Sequence, residues 1–155
     1  MSTQAAHNPV APAPPPLAIG NLWAGRKVGV TGGAGFVGAS LVRELLRRGA
    51  DVVAVDVAPF DRLTPELGHT ALRCLSGDVR DAQAMAAQLT GCDLVLHLAA
   101  IVGVQRYLAD PLAVIDVNLN GLRTVAEVCR AHGTALLFVS TSEVYGTSAV
   151  DLRED

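Results

Sequence analysis

Short apolar runs recur along the chain from residue 27 onward, separated by stretches of mixed polarity. The first two are KVGVT (27–31) and DVVAVD (51–56), and three more lie at 71–75, 93–98 and 135–140. They are almost wholly apolar, as strands are when helices cover both faces of a parallel sheet. The pattern therefore predicts five buried strands.

Apolar residues recur at helical spacing between these runs. The stretch that begins at Phe36 predicts a helix that ends at Gly49, a residue type that readily adopts the left-handed conformation of a helix stop. Asp81 is expected to cap a helix over 82–89. Asp110 followed by proline predicts the start of a long helix, which runs to about residue 131.

Strands that alternate with helices predict an α/β fold, a doubly wound parallel sheet of the Rossmann type. Right-handed crossovers favour the strand order 3-2-1-4-5. Residues 1–25 are rich in proline and alanine, which predicts a disordered tail, and residues 26–155 are expected to form the nucleotide-binding domain. We expect the C-terminal part of the sheet to be missing, so that the chain is a truncated N-terminal portion.

The charge and the apolar content limit the classes of partner. A formal net charge of −3 gives no reason to expect nucleic acid or an anionic membrane. No apolar run reaches the ~20 residues of a membrane-spanning helix, and no signal sequence is evident, so we expect a cytoplasmic protein. Cys74, Cys92 and Cys129 match no metal spacing, and we interpret them, like His97, as core residues.

Glycine recurs at every third position after the first strand, at Gly32, Gly35 and Gly38. This spacing is a variant of the dinucleotide fingerprint, in which glycine permits a tight turn, a close diphosphate and a closely packed helix. The N–H groups at the start of the next helix, at Phe36 and Val37, are then available to a diphosphate. The loop therefore predicts a dinucleotide site.

Asp56 ends the second predicted strand. A carboxylate at this place accepts hydrogen bonds from the adenosine ribose hydroxyls and repels a 2′-phosphate. No arginine follows immediately, since Arg62 is the first one downstream. The expected cofactor is therefore NAD rather than NADP.

Six segments in a fixed order carry a resemblance to a known family. They are TGGAGFVG (31–38), Asp56, GDVRD (77–81), HLAA (97–100), NLNG (118–121) and STSEVYG (140–146). In these the chain resembles the extended short-chain dehydrogenases/reductases, which include NAD-dependent nucleotide-sugar epimerases, dehydratases and decarboxylases. The resemblance implies that Asp78 and Val79 hold the adenine edge. It also implies that Ala99 and Ala100 line the path of the adenosine diphosphate, and that Asn118 faces the nicotinamide side.

The resemblance implies that the catalytic segment is Thr141-Ser142-Glu143. The resemblance implies that Thr141 binds the sugar 4-hydroxyl. In relatives that dehydrate dTDP-glucose, an Asp and a Glu follow as acid and base, whereas here the first is Ser142, a poor general acid. STSEVYG looks like the segment of UDP-glucuronate decarboxylases, so we expect a decarboxylase, a lyase that acts on a UDP-sugar. A 4-epimerase and a 4,6-dehydratase remain alternatives.

The catalytic Tyr-x-x-x-Lys pair of the family is absent from these 155 residues. Tyr145 is followed at the fourth position by Ala149 and Tyr107 by Pro111, and Lys27 is the only lysine. We therefore expect an inactive fragment of an active enzyme, with a non-catalytic NAD-binding module as the alternative. The family pairs subunits through the helix that matches 110–131 and the next one. The longer enzyme is thus expected to be a homodimer, and this chain a monomer or a self-adhering species.

Overall fold

The computed structural model describes residues 22–146, apart from the side chains of Ser142 and Glu143. The predicted disordered tail falls mostly on residues 1–21, which lie outside the described residues, as do residues 147–155. Near the start of the described part, Trp23 packs against the core, while Leu22 is half exposed. The N–H of Gly25 donates to the carbonyl of Gly49, which joins this turn to the end of the first helix.

Five parallel strands form one sheet in the order β3-β2-β1-β4-β5, which confirms the predicted topology. In chain order they are β1 (Lys27–Thr31), β2 (Asp51–Asp56), β3 (Leu72–Ser76), β4 (Leu94–His97) and β5 (Ala135–Phe138). At the carboxyl end of the central strand, Thr31 pairs in register with Val55 on one side and His97 on the other. The ends of β1, β2 and β4 therefore lie next to one another.

Helices cover both faces of the sheet. They are α1 (Phe36–Arg47), α2 (Ala82–Gln88), α3 (Val104–Ala109), α4 (Pro111–Ile115) and α5 (Gly121–His132), with a π-helical turn at Asp116–Asn120 and 3₁₀ turns at Asp61–Glu66 and Ser142–Tyr145. One buried cluster joins α1 to the sheet through Val30 and Val42, and a second, on the other face, joins α2 and α5 through Val95 and Val125. A core on each face explains why the strands are apolar throughout.

The predicted helix ends are confirmed at their caps. Asp81 accepts hydrogen bonds from the N–H groups of Gln83 and Ala84, and Asp110 accepts one from that of Ala113. Gly49 and Gly133 have positive φ angles of 81° and 66°, as left-handed helix stops require.

The structure differs from the prediction in the region after β4. The helix expected over 110–131 is present as continuous helical backbone from α4 through the π turn to α5, and the sequence pattern revealed neither the π turn nor α3. The fourth and fifth strands are also shorter than predicted and end at His97 and Phe138. Their last predicted residues instead belong to the loops that leave the carboxyl edge of the sheet, where ligands of this fold class bind.

Cys92 and Cys129 lie buried in the core, and Cys74 is partly buried. Among residues 22–146, no group of three or more histidine, cysteine or acidic side chains is placed to hold a metal ion. Nor does any helix in that range have the length and apolar character to cross a membrane.

Candidate functional site

The glycine loop between β1 and α1 forms a tight cradle at the centre of the carboxyl edge. Gly32 has a φ of +73°, and its N–H donates to the carbonyl of Val55 at 2.8 Å. A Cβ added there would lie 2.8 Å from the backbone nitrogen of Ala99. The turn is thus pressed between β2 and the loop that follows β4, and only glycine fits it.

Gly38 makes a second close approach within the same loop. It is buried in the first turn of α1, and a Cβ added there would collide with the carbonyl oxygen of Gly32. The sequence predicted that Gly38 lets the helix approach the strand. In the structure the closest group is the loop that leaves the strand, which brings the start of α1 directly over the glycine turn.

The start of α1 is open to an anion. Gly35 is the N-cap residue, so no side chain accepts a hydrogen bond from the first turn, and that turn contains no acidic residue. The opening N–H groups of a helix, here at Phe36 and Val37, have no partner within the helix and carry partial positive charge. Both side chains are exposed, at 80% and 56%. The backbone of this turn can therefore bind a diphosphate.

Asp56 lies at the end of β2 with both carboxylate oxygens fixed by backbone groups. Oδ2 accepts a hydrogen bond from the N–H of Ala34 at 3.0 Å, and Oδ1 accepts one from that of Ala58 at 2.9 Å. Each carboxylate oxygen can accept more than one hydrogen bond. The charge is thus held beside the glycine turn with acceptor sites left for the hydroxyls of a ribose.

The loop after β3 carries the predicted adenine contacts. Val79 is buried, whereas Asp78 is partly exposed and pairs with Arg80, whose Nη2 lies 2.6 Å from Asp78 Oδ2. The guanidinium and the backbone N–H of Arg80 keep the pKa of the Asp78 carboxyl below its ordinary value. Arg80 was not predicted as a site residue, because its position in GDVRD does not indicate what its side chain contacts.

Asn118 lies in the π turn and holds the backbone of the loop after β4. Its Oδ1 accepts from the N–H of Ile101 at 2.8 Å, and its Nδ2 donates to the carbonyl of Ile101 at 3.0 Å. Both polar atoms are thereby engaged. The resemblance implies that Asn118 faces the nicotinamide side, and in the structure its side chain contacts the loop that carries Ala99 and Ala100. Ala99 is partly buried and Ala100 is exposed.

His97 is a core residue, as interpreted from the sequence. It is only 2% exposed, its Nδ1 lies 2.8 Å from Thr31 Oγ1, and its ring contacts that of Phe138. Burial lowers the pKa of His97 to about 4, so the imidazole is neutral at pH 7. Thr31 Oγ1 also accepts a hydrogen bond from the N–H of Ala99 at 3.4 Å. The pair therefore supports the loop beneath the cradle.

The predicted catalytic segment follows β5. Thr141 is exposed at the carboxyl edge, and Ser142 and Glu143 belong to the 3₁₀ turn Ser142–Tyr145. The side chains of Ser142 and Glu143 lie outside the described residues, so their catalytic roles stay predictions. The backbone brings the segment to the same edge of the sheet as the glycine cradle, because β5 is parallel to β4 and β1.

The residues present fit a dinucleotide. A glycine turn that a Cβ would fill, a helix start without a capping side chain and a fixed carboxylate follow one another from β1 to the end of β2. Together they can hold a diphosphate and the ribose beside it. The loops after β3 and β4, which carry Asp78 and Ala99, lie on either side of this central unit in the strand order.

Known proteins are similar to this chain over most of its length. Residues 28–155 match the model of the NAD-dependent epimerase/dehydratase family. A dTDP-glucose 4,6-dehydratase from Mycolicibacterium smegmatis is 36% identical over 126 residues, which is 79% of this chain and 38% of that protein. A UDP-N-acetyl-alpha-D-glucosaminuronate decarboxylase from Bacillus cytotoxicus is 34% identical over 129 residues, which is 81% of this chain and 40% of that protein.

A solved structure extends the comparison. A dTDP-glucose 4,6-dehydratase from Streptomyces venezuelae, which contains NAD, matches with a TM-score of 0.76 and 34% identity, over 81% of this chain and 42% of that one. This chain thus spans about two fifths of the length of these relatives. By its sequence, its strand order and its glycine cradle, the chain belongs to the NAD-dependent epimerase/dehydratase family of extended short-chain dehydrogenases/reductases, with NAD as the cofactor.

Proposed function

We propose that the protein to which this chain belongs decarboxylates UDP-glucuronate. The observation that carries the proposal is the segment Thr141-Ser142-Glu143, in which serine stands where a dehydratase needs an acid. Loss of a hydroxyl group requires a proton donor near the leaving oxygen, and a serine hydroxyl is a poor one at neutral pH. Loss of carbon dioxide does not require that donor.

The chemistry of a uronate explains why a weak acid suffices. NAD, when bound, supplies the reversible oxidation of the sugar at C4. A ketone at C4 stands β to the carboxylate, so the C5–C6 bond can break and its electron pair can pass toward the C4 oxygen as carbon dioxide leaves. A proton then returns to C5, and reduction at C4 completes the product.

We assign the following roles to the residues of this segment. Thr141 orients the sugar through its 4-hydroxyl, and Ser142 hydrogen-bonds the substrate without donating a proton in the slow step. Glu143 acts near C5, where a proton must be delivered. Thr141 lies at the carboxyl edge of β5, where ligands of open α/β sheets bind, which supports these assignments.

The cofactor end of the site supports the same reaction class. The opening turn of α1 offers N–H groups to the diphosphate, and Asp56 offers acceptors to the adenosine ribose. The buried pair of Thr31 and His97 fixes the loop after β4, which the resemblance places beside the diphosphate. These groups bind and orient the cofactor, and none of them needs to transfer a proton.

A 4,6-dehydratase is the second candidate, because relatives of that activity are as similar to this chain as the decarboxylase is. The two reactions share the oxidation at C4 and diverge at the next bond to break. Similarity over two fifths of the relatives' length therefore supports membership of the family and oxidation of the sugar at C4. The choice between the two reactions rests on Ser142, which favours the decarboxylase.

The test supplies the intact protein and NAD with UDP-glucuronate and UDP-glucose in separate reactions. We expect carbon dioxide and a UDP-pentose from the first and no product from the second. Glu143→Gln should lower the rate by about 10²–10⁴-fold, the usual scale for a positioned acid or base. Asp61→Asn, on the 3₁₀ turn that follows β2, is the matched control and should leave the rate unchanged. Conversion of UDP-glucose while UDP-glucuronate is untouched would instead establish the epimerase or the dehydratase.

A non-catalytic NAD-binding module is the remaining alternative. It predicts that the intact protein binds NAD and converts neither sugar. A Tyr-x-x-x-Lys pair one helix beyond Asp155 in a longer protein would support the enzyme, because the lysine lowers the pKa of the tyrosine that exchanges a proton at C4.

A further inference from the structure

The π turn Asp116–Asn120 contacts two loops of the cofactor site at once. Asp116 pairs with Arg80 of the loop after β3, and Asn118 holds Ile101 of the loop after β4. π turns are rare and recur at functional sites, because the extra residue turns side chains out of the ordinary helical order. This turn lies between α4 and α5, at the carboxyl edge of the sheet.

Arg80 lies between two carboxylates. Its Nη2 is 2.6 Å from Asp78 Oδ2, and its Nη1 is 2.6 Å from Asp116 Oδ2. Asn120 adds a hydrogen bond from its Nδ2 to Asp116 Oδ1 at 2.7 Å. The pKa values of both carboxyl groups lie below the ordinary value, through Arg80 at Asp78 and through Asn120 and then Arg80 at Asp116.

A second contact holds the same loop at a neighbouring residue. Val79 is buried against the start of α5, and a Cβ added to Gly121 would lie 2.6 Å from Val79 Cγ2. The apolar contact of Val79 holds the loop against α5, and the ion pair of Arg80 with Asp116 holds it against the π turn. Adjacent residues of the predicted adenine contact are thus held by neighbouring elements, Val79 by the start of α5 and Asp78, through Arg80, by the π turn.

Arg80 fixes the Asp78 carboxylate without filling all of its acceptor sites. Asp78 Oδ1 accepts from the backbone N–H and from Nε of Arg80, at 2.9 and 3.0 Å. Oδ2 accepts from Nη2 at 2.6 Å, while its 3.2 Å contact to Nε is the longer branch of a shared donor. An ionised carboxylate has about four acceptor sites, so Oδ2 retains capacity for an amino group such as that of adenine.

We propose that Arg80 and Asp116 are positioning residues for the adenine end of the cofactor. Asp116 draws the guanidinium toward the π turn, and the guanidinium orients the carboxylate of Asp78 before the cofactor arrives. A group fixed in its bound orientation binds more tightly, because less freedom is lost on binding. This inference rests on the NAD site and not on the sugar that is converted. It can therefore fail while the proposed decarboxylase activity is upheld, and the decarboxylase activity can fail while this inference is upheld.

The experiment measures the affinity of the intact protein for AMP and for NAD by calorimetry. Arg80→Ala and Asp116→Ala should each weaken both affinities by the same factor, about threefold to tenfold, because AMP carries the adenine end that the loop contacts. The double variant should lose no more than Arg80→Ala does, since the two side chains act as one unit. Asp116→Glu should recover most of the AMP affinity, and Asp116→Asn, which keeps the size and removes the charge, should not.

The control is Glu127→Ala, which breaks an exposed ion pair with Arg123 on the same helix, α5. It should leave both affinities unchanged, and thermal unfolding of every variant separates loss of affinity from loss of fold. Unchanged AMP affinity in Arg80→Ala and Asp116→Ala overturns the proposal. So does a loss of NAD affinity without a loss of AMP affinity, since the effect would then lie at the other end of the cofactor.

Discussion

At the scale of single residues, Asp56 shows how backbone groups hold a carboxylate where it can distinguish NAD from NADP. Its two oxygens accept hydrogen bonds from the N–H groups of Ala34, in the glycine loop, and Ala58, two residues beyond the strand end. The negative charge is therefore held at one place beside the glycine turn. A ribose hydroxyl can donate to a carboxylate held in this way, whereas a 2′-phosphate would meet a fixed like charge.

We expect Asp56→Ala to narrow the preference for NAD over NADP by about tenfold, because the variant loses both the acceptor and the repulsion. Titration of the intact protein and of the variant with NAD and with NADP measures this preference. Asp51→Ala is the matched control, because Asp51 is an exposed carboxylate at the opposite end of the same strand. Tighter binding of NADP than of NAD by the unaltered protein would contradict the assignment.

His97 links the site to the pH dependence of stability. Burial lowers the pKa of its imidazole to about 4, against about 6.5 in an unfolded chain. Between these values the unfolded chain binds the proton and the folded one does not, so stability falls as the pH is lowered from 6.5 to 4. We expect this residue to remove about 2–3 kcal/mol from the free energy of unfolding across that window.

Urea unfolding at several pH values, compared between the unaltered protein and His97→Gln, isolates this effect. Glutamine keeps a hydrogen-bonding group near Thr31 and does not titrate, so the variant should lose less stability on acidification. The carboxyl groups of Glu44, Asp78 and Asp116 also lose favourable contacts in acid, and they do so in both proteins. Parallel curves for the two proteins would show that His97 is not the cause.

At the scale of elements, the close approach of α1 to its preceding loop depends on Gly38. We expect Gly38→Ala to destabilise the protein by about 1–3 kcal/mol, because the new Cβ would strike the carbonyl oxygen of Gly32 and neither backbone can move freely. The same shift should weaken NAD binding, since it displaces the opening turn of the helix. Chemical unfolding and calorimetry with NAD measure the two effects.

Gly68→Ala is the matched control for this prediction. Gly68 has no heavy atom within 4 Å of its added Cβ and no positive φ. Its substitution should leave both the stability and the affinity for NAD nearly unchanged. Equal stability of the two variants would mean that the loop relaxes away from the helix at little cost.

The strands and their order could be predicted because they depend on local and general rules. A buried parallel strand needs an apolar run, and right-handed crossovers restrict the order in which such strands pair. The caps at Asp81 and Asp110 were likewise evident, because each bonds to N–H groups two or three residues away. Elements that are specified by nearby residues can be derived from a single sequence.

The π turn could not be predicted, because its partners are distant in the chain. Asp116 meets Arg80, 36 positions earlier, and Asn118 meets Ile101, 17 positions earlier. Periodicity contains no signal for either contact, so the pattern predicts one regular helix over this segment. An asparagine is unfavourable in a helix interior, and the structure shows that Asn118 anchors the loop after β4.

At the scale of the whole molecule, many apolar side chains are exposed in the described part of the chain after β4. On β5, Leu137 and Phe138 are about half exposed, at 49% and 48%. The segment from α3 to the π turn adds a row of exposed apolar side chains, namely Val104, Leu108, Leu112, Ile115 and Leu119. Exposed apolar residues mark an interaction site or an aggregation hazard where they form a contiguous patch.

This surface bears on the assembly of the chain. We expect the 155-residue chain on its own to be a monomer or to associate without a defined stoichiometry, because family subunits pair through two helices and only the first of these is among the residues described. Sedimentation velocity at several concentrations measures it. Leu108→Glu with Leu112→Glu should reduce the association, because both side chains are more than 70% exposed on the proposed surface. Leu67→Glu, at a half-exposed residue next to the 3₁₀ turn after β2, is the control and should not change it. A discrete dimer that survives dilution would show that this chain already contains a complete interface.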